Sequence, residues 1–183
     1  ASSMGAMGAA LGTMVANLSA HKPGWDDRWE KFSNWAEQGI AIEQELLHLV
    51  NEDTEAFNKI MAAFGMPKAT DDDKARRAEA IENATLFAAQ IPLQTMKAAM
   101  KVLPLCRAMA ETGNPNSVSD AGVGALAARS AVIGAALNVK INAASLQDKA
   151  TAQSLIDEAE ALVKQAKAEE EAIIAIVEKT ITK

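Results

Sequence analysis

The 183-residue chain is 49% hydrophobic and carries a formal charge of −6, enough apolar material for one domain with a sizeable core. It has no basic stretch long enough to follow a phosphate backbone, so nucleic acid is excluded as a partner. With one cysteine, Cys106, neither an intrachain disulfide framework nor a cysteine-built zinc site can form, and a reducing cytosol fits.

The first twenty residues carry no charged side chain, but Gly5, Gly8, Gly12, Ser2, Ser3, Thr13, Asn17 and Ser19 make them small rather than greasy. They lack the basic region and long apolar run of a signal peptide, so no membrane partner is expected. The spacing predicts a helix from about Ser3 to Ser19. Gly8 and Gly12 leave one face bare, where another backbone or a ligand can approach. His21-Lys22-Pro23-Gly24 breaks the pattern.

Asp26 or Asp27 can start a second helix that continues to Phe64 and stops at Gly65, with Gly39 marking a bend or break. Thr70 followed by Asp71, Asp72 and Asp73 is a helix start with its cap and acidic first turn. That third helix runs to about Gln90. Pro92 kinks or divides it, Pro104 does so again, and helical pattern ends at Gly113. Ser117 or Ser119 caps a fourth helix reaching about Ser145. A last, amphipathic helix spans roughly Lys149 to Ile181 and reads as an outer one. No strand alternation and no internal repeat is present. The expected fold is all-α: a single domain over residues 1–183, a bundle of long, partly kinked helices.

Three places could carry chemistry. Asp120, Gly124, Ala127, Ala131, Gly134, Asn138 and Asn142 recur in steps of three and four and share one stripe, small in the middle and polar at both ends. A flat ligand could lie along it; equally, the asparagines could bond neighbouring helices. Asp53 and Phe57 sit one turn apart, and a carboxylate held against apolar surface can exchange protons near neutrality. By pattern alone Asp53 reads as an ordinary solvated acid. Lys68, in a loop, could reach an anion, although a loop lysine in water is the plainer reading. His21 and His48 sit in no metal or triad spacing, and Cys106 reads as a core residue. Phosphate loops and nucleophile elbows are absent.

Taken together, several segments resemble one family. Gly8-Ala9-Ala10-Leu11-Gly12-Thr13-Met14-Val15-Ala16-Asn17-Leu18, Asp53-Thr54-Glu55-Ala56-Phe57, Met66-Pro67-Lys68, Gly113-Asn114-Pro115-Asn116-Ser117 through Asp120, Gly122-Val123-Gly124-Ala125 and Asn138-Val139-Lys140-Ile141-Asn142 follow in order. They are similar to the cyclodeaminase domain of formiminotransferase-cyclodeaminase and to the methenyltetrahydrofolate cyclohydrolases of that type. Family members usually carry a Gly-Gly-Gly-Ser loop ahead of the first helix, whereas this chain begins at Ala1-Ser2-Ser3. His21-Lys22-Pro23-Gly24-Trp25 stands in place of a basic, Tyr-containing segment.

The resemblance implies a cytoplasmic, all-helical homodimer with folate near the subunit interface, no metal, no prosthetic group, and a tetrahydrofolate derivative as substrate. It implies Asp53 and Asp120 for proton transfer or pterin binding. Phe57, Asn114, Asn116, Ser117, Asn138 and Asn142 would line the substrate site, and Lys68 would hold the glutamate tail. The favoured expectation is the cyclodeaminase reaction of histidine degradation, which makes 5,10-methenyltetrahydrofolate and ammonia, with a separate formiminotransferase as a possible partner. The alternatives are hydrolysis of methenyltetrahydrofolate to 10-formyltetrahydrofolate, and a non-catalytic helical interaction module.

Overall fold

The computed structural model describes residues 1–182. It contains α1 (Ser2–Ala20), α2 (Trp29–Phe64), α3 (Asp71–Met100), α4 (Val102–Thr112), a 3-10 turn (Pro115–Ser117), α5 (Val118–Ala144) and α6 (Lys149–Ile181). No strand is present among the described residues, so the all-α expectation holds. α1 lies at the centre, packed against α2, α4 and α5, while α6 lies outside against α5. α5 is long and apolar enough to cross a membrane by length and composition, yet it packs against α1, α3, α4 and α6.

The bare face of α1 is what lets it be central. A Cβ on Gly8 would lie 2.7 Å from the Gly124 carbonyl oxygen on α5; one on Gly124 would lie 3.1 Å from the Gly8 oxygen and 2.8 Å from Cys106 Sγ. On the other flank, a Cβ on Gly39 of α2 would collide with Thr13 Oγ1. Gly39 therefore marks a close helix–helix approach and not a break, since α2 is continuous through it. Around these contacts the core is filled by Phe32, Leu46, Ile91, Met96, Leu103, Leu105 and Met109, all essentially without solvent access. Cys106 is part of this core, and burial pushes its thiol up to about 12.

Helix starts were partly legible. Thr70 caps α3 as expected: its hydroxyl accepts from Asp73 N (3.1 Å) while Asp73 Oδ2 accepts from Thr70 N (3.2 Å), a reciprocal capping box. The Thr70 hydroxyl, then the Thr70 N–H, hold the Asp73 carboxyl below its ordinary range. Asp148 caps α6 through Ala150 N and Thr151 N. Two expected caps fail. α2 begins at Trp29 with no side-chain cap, so neither Asp26 nor Asp27 starts it. Ser117 stands at the N-cap of α5 but makes no capping bond. Instead Asn114 Oδ1 accepts from Asn116 N (3.2 Å) and opens the 3-10 turn that feeds α5.

Both prolines behave differently from a simple break. α3 runs through Pro92 to Met100. A proline in mid-helix deprives the carbonyl four residues back of its donor, here Ala88. Asn142 Nδ2 of α5 supplies the missing donor, 2.8 Å from Ala88 O. The actual helix break is at Lys101, where Pro104 leaves the Met100 carbonyl without its usual donor and falls in the first turn of α4, where no intrahelical donor is needed. Asn142→Ala should therefore lower stability by about 1–3 kcal/mol, the cost of orphaning a buried carbonyl. In a Pro92→Ala background, where residue 92 regains its N–H, the same change should cost only a few tenths of a kcal/mol. Urea denaturation of the two single variants and the double variant measures the coupling; equal costs in both backgrounds would remove this role for Asn142.

Candidate functional site

Helix register places the nine expected site residues in two groups. α2 runs antiparallel to α1, with Leu46 against Gly5 and Gly39 against Thr13. Asp53 and Phe57 therefore lie beyond the α1 N-terminus. α5 is also antiparallel to α1, with Ala131 against Gly5 and Gly134 nearest Ala1. Asn138 and Asn142 thus share that end, and Lys68 joins them through a pocket it lines with Gln147 of the α5–α6 turn. Asn114, Asn116, Ser117 and Asp120 are at the opposite end, where Asn114 N donates to Ser19 Oγ (2.7 Å) at the foot of α1. At 1.5 Å per residue, Asp53 and Asp120 are separated by roughly 20 Å along the bundle. Within one chain they cannot act on one atom.

The stripe on α5 does not hold a flat ligand. Its small central residues are the surface that α1 closes, through Gly8 against Gly124 and Gly5 against Ala131. Asn142 is bonded to Ala88 O by its amide nitrogen, which assigns it a structural task. Asn138 remains exposed and makes no side-chain hydrogen bond among the described residues. Asp53 is exposed, Asp120 half-buried and Ser117 buried. Phe57 is not covered by its own chain: 62% of it is open.

That exposure is part of a larger feature that motif reading missed. Met4, Met7, Met14 and Leu18 line the outer side of α1. Ile40, Leu47, Val50, Phe57, Met61 and Phe64 recur at steps of three, four and seven on α2. Val123 and Leu126, three apart, and Leu137 and Ile141, four apart, are exposed on α5. Because α1 packs between α2 and α5, the three stripes adjoin. Leu137 and Ile141 are 66% and 68% exposed. Such a contiguous apolar surface on a chain with a complete core marks an interaction face. The signal lay in the sequence, since each of these helices carries apolar residues on more than the one face its neighbours can cover.

A second missed feature adjoins Lys68. A cavity of about 340 Å³ is lined by Lys68, Lys74, Arg77, Ala78, Ile81 and Gln147. Arg77 donates from Nε (3.4 Å) and an Nη (3.2 Å) to Phe64 O, the orphan carbonyl at the end of α2. Lys74 Nζ bonds Asp71 Oδ1 at 2.8 Å. Neither Lys68 nor Arg77 is in an ion pair among the described residues.

Residues 1–161 match the family profile described as formiminotransferase-cyclodeaminase. The chain is 38% identical over 177 residues to a methenyltetrahydrofolate cyclohydrolase of Methylorubrum extorquens, spanning 97% of this chain and 85% of that protein. It is 27% identical over 178 residues to the formimidoyltransferase-cyclodeaminase of Mus musculus, covering 97% of this chain but only 33% of that longer protein. Among solved structures it is similar to the formiminotetrahydrofolate cyclodeaminase of Thermotoga maritima, with a TM-score of 0.77 and 26% identity over 98% of this chain and 83% of that one.

Proposed function

Because the chain belongs to the formiminotransferase-cyclodeaminase family, whose members handle one-carbon units carried by folate, we propose that it is a formiminotetrahydrofolate cyclodeaminase whose site is completed by a second copy of itself. In this reaction folate nitrogen ten attacks the carbon of the protonated formimino group (an amidinium, C=NH2⁺) on nitrogen five. The new carbon–nitrogen bond closes a five-membered ring around a tetrahedral carbon. The proton leaves nitrogen ten, the amino nitrogen gains one, and its bond to the carbon breaks. Ammonia departs and 5,10-methenyltetrahydrofolate remains.

The protein's tasks are a base for the attacking N–H, an acid for the departing amine, and rigid placement of the two nitrogens. Asp53 and Asp120 are the carboxylates assigned to proton transfer or to pairing with adjacent pterin N–H groups. Phe57, Asn114, Asn116, Ser117 and Asn138 border the ligand. Asn142 borders it through its Oδ1, since its amide nitrogen is bonded to Ala88 O.

The observation that carries this reading is the division of these residues between opposite ends of a bundle whose connecting face is apolar and uncovered. A two-fold axis crossing α1 sets the Asp53 end of one copy beside the Asp120 end of the other, twice per dimer. The same contact covers the stripes on α1, α2 and α5. Formimino transfer to tetrahydrofolate, as in histidine degradation, is the class of reaction that supplies the substrate, and a formiminotransferase is the corresponding partner. A cytoplasmic setting accords with the single buried cysteine.

A second reading is favoured by the 38% identity to a methenyltetrahydrofolate cyclohydrolase. Water adds to the same carbon, and ring opening gives 10-formyltetrahydrofolate through a similar tetrahedral centre. Incubation with each substrate, followed by methenyl absorbance and ammonia release, separates the two. Ammonia formed with rising methenyl absorbance from the formimino substrate is the expected result. Methenyl loss well above the buffer rate, with no ammonia from the formimino compound, would replace it with the hydrolase.

A further inference from the structure

Asp120 stands in the first turn of α5, where the chain enters from a 3-10 turn and no side chain caps the helix. Something beyond that turn must fix where the carboxylate is carried. Building on the folate reading above, we infer that the second half of α6 is a buttress that positions Asp120, with Val177 seated on Gly122 as the positioning contact.

Three observations carry this. The first is a close approach. α6 runs antiparallel to α5, with Val177 against Gly122, Glu170 against Arg129 and Glu160 against Lys140. A Cβ on Gly122 would lie 3.3 Å from both γ-carbons of Val177 and 3.5 Å from Ile174 Cδ1. α6 therefore rests on the α5 backbone at this point. Val177 is buried and, being β-branched, has little freedom to turn aside.

The second is direction. Residues two apart on a helix are about 200° apart around it, so Asp120 is on the side of α5 away from Gly122 and α6. It shares a stripe with Gly124, one turn on, which meets Gly8 of α1 and Cys106 of α4. The separation of α5 from α6 thus sets how far Asp120 is carried toward α1 and α4.

The third is that the same half of α6 also holds α4, the helix that leads into the Asn114 turn. Arg107 of α4 donates from Nε (3.2 Å) and an Nη (2.6 Å) to Glu169 Oε2. The next residue, Glu170, is 5% exposed and faces Arg129 of α5 at 3.4 Å. Two adjacent glutamates tie α4 and α5 to one helix, so the Gly113–Ser117 turn is held from both sides. Glu169, Glu170 and Val177 all lie beyond the residues matched by the family profile, which assigns them no part in the site. Val177 acts through Gly122 and touches no reacting atom.

A misplacement of about 1 Å can cost about a hundredfold in rate. A Cβ on Gly122 would push α6 from α5 by roughly a few tenths of an ångström, so about tenfold is expected. The test measures kcat and KM on whichever of the two folate substrates the protein turns over. It compares the unaltered protein, Gly122→Ala, the double variant Gly122→Ala/Val177→Ala and Ala166→Gly, a control destabilised about three turns back along α6. All are assayed at a temperature where circular dichroism shows them folded. Gly122→Ala should lower kcat about tenfold and leave KM within about twofold. The double variant lacks both γ-carbons and should return to within about threefold of the unaltered kcat. Ala166→Gly should lose stability and keep its kcat. Full activity in folded Gly122→Ala, a double variant as slow as the single one, or an equal loss of kcat in Ala166→Gly would each overturn the inference.

A readout without turnover separates the buttress from the reaction. In Val177→Ala the backbone amide resonances of Asp120 and Asn114 should shift, although both residues are far from position 177 in the chain. Their movement supports the buttress even if neither folate reacts, an outcome that would overturn the proposed reaction instead. Resonances unchanged beyond α6 and Gly122 overturn the buttress.

Discussion

Asp53→Asn and Asp120→Asn should each reduce turnover by at least about a hundredfold, the loss expected when a proton-transfer group becomes an amide. Mixing the two inactive variants, by co-expression or by joint refolding, should restore about a quarter of full activity. Random pairing makes half of the dimers mixed, and each mixed dimer holds one site with both carboxylates intact and one with neither. The prediction follows from the separation of the two residues along the bundle, which no side-chain movement closes. Circular dichroism and denaturation must be run beside it, since Asp120 is in the first turn of α5, where a negative charge favours the helix. An absence of recovery in a mixture verified to contain mixed dimers would place both residues' tasks within a single chain and sink the shared site. The same variants bear on the non-catalytic alternative, under which neither substitution alters any folate reaction.

Gly8→Ala should lower stability by about 2 kcal/mol, although alanine is the better helix former by about 1 kcal/mol. The added Cβ would stand 2.7 Å from the Gly124 carbonyl and 3.3 Å from Ala128 N. Both are backbone atoms of a helix held on several sides, so α1 and α5 must separate along their whole contact. Gly134→Ala is the matched opposite. Its Cβ would meet only Ala1 Cβ, at 3.9 Å, so the helix-propensity gain is realised and stability should rise by up to about 1 kcal/mol. Urea denaturation at one fixed protein concentration compares them, because dimerisation would otherwise shift the midpoints. If Gly8→Ala proved as harmless as Gly134→Ala, the close approach of α1 and α5 would not be what requires glycine there.

The helix pattern was readable because its determinants are local. Thr70 with the acids behind it, the stop at Gly65 and the amphipathic period of α6 all act within a turn or two, and all reappear in the structure. The family was also readable, since the segments around Asp53, Lys68, Asn114 to Asp120 and Asn138 resemble it in order and over nearly the whole chain. What local reading could not settle was whether a small or polar residue served a ligand or a neighbouring helix. Gly8, Gly12 and Gly124 offered room on paper, and that room is filled by backbone and by Leu105. Asn142 offered an amide that Pro92, fifty residues earlier in the chain, had already claimed through Ala88 O.

Local pattern was thus enough for an all-helical chain, its family, and the residue types available for acid–base work on a folate. Helix packing was needed to see that Asp53 and Asp120 stand at opposite ends of the bundle, that Asn142 repairs a proline's missing hydrogen bond, and that Lys68 shares a cavity with Arg77. The physical reason is distance along the chain. Capping and periodicity are set by residues three or four apart, whereas the meeting of α1, α2 and α5, and the apolar face they leave open together, depends on how the helices pack.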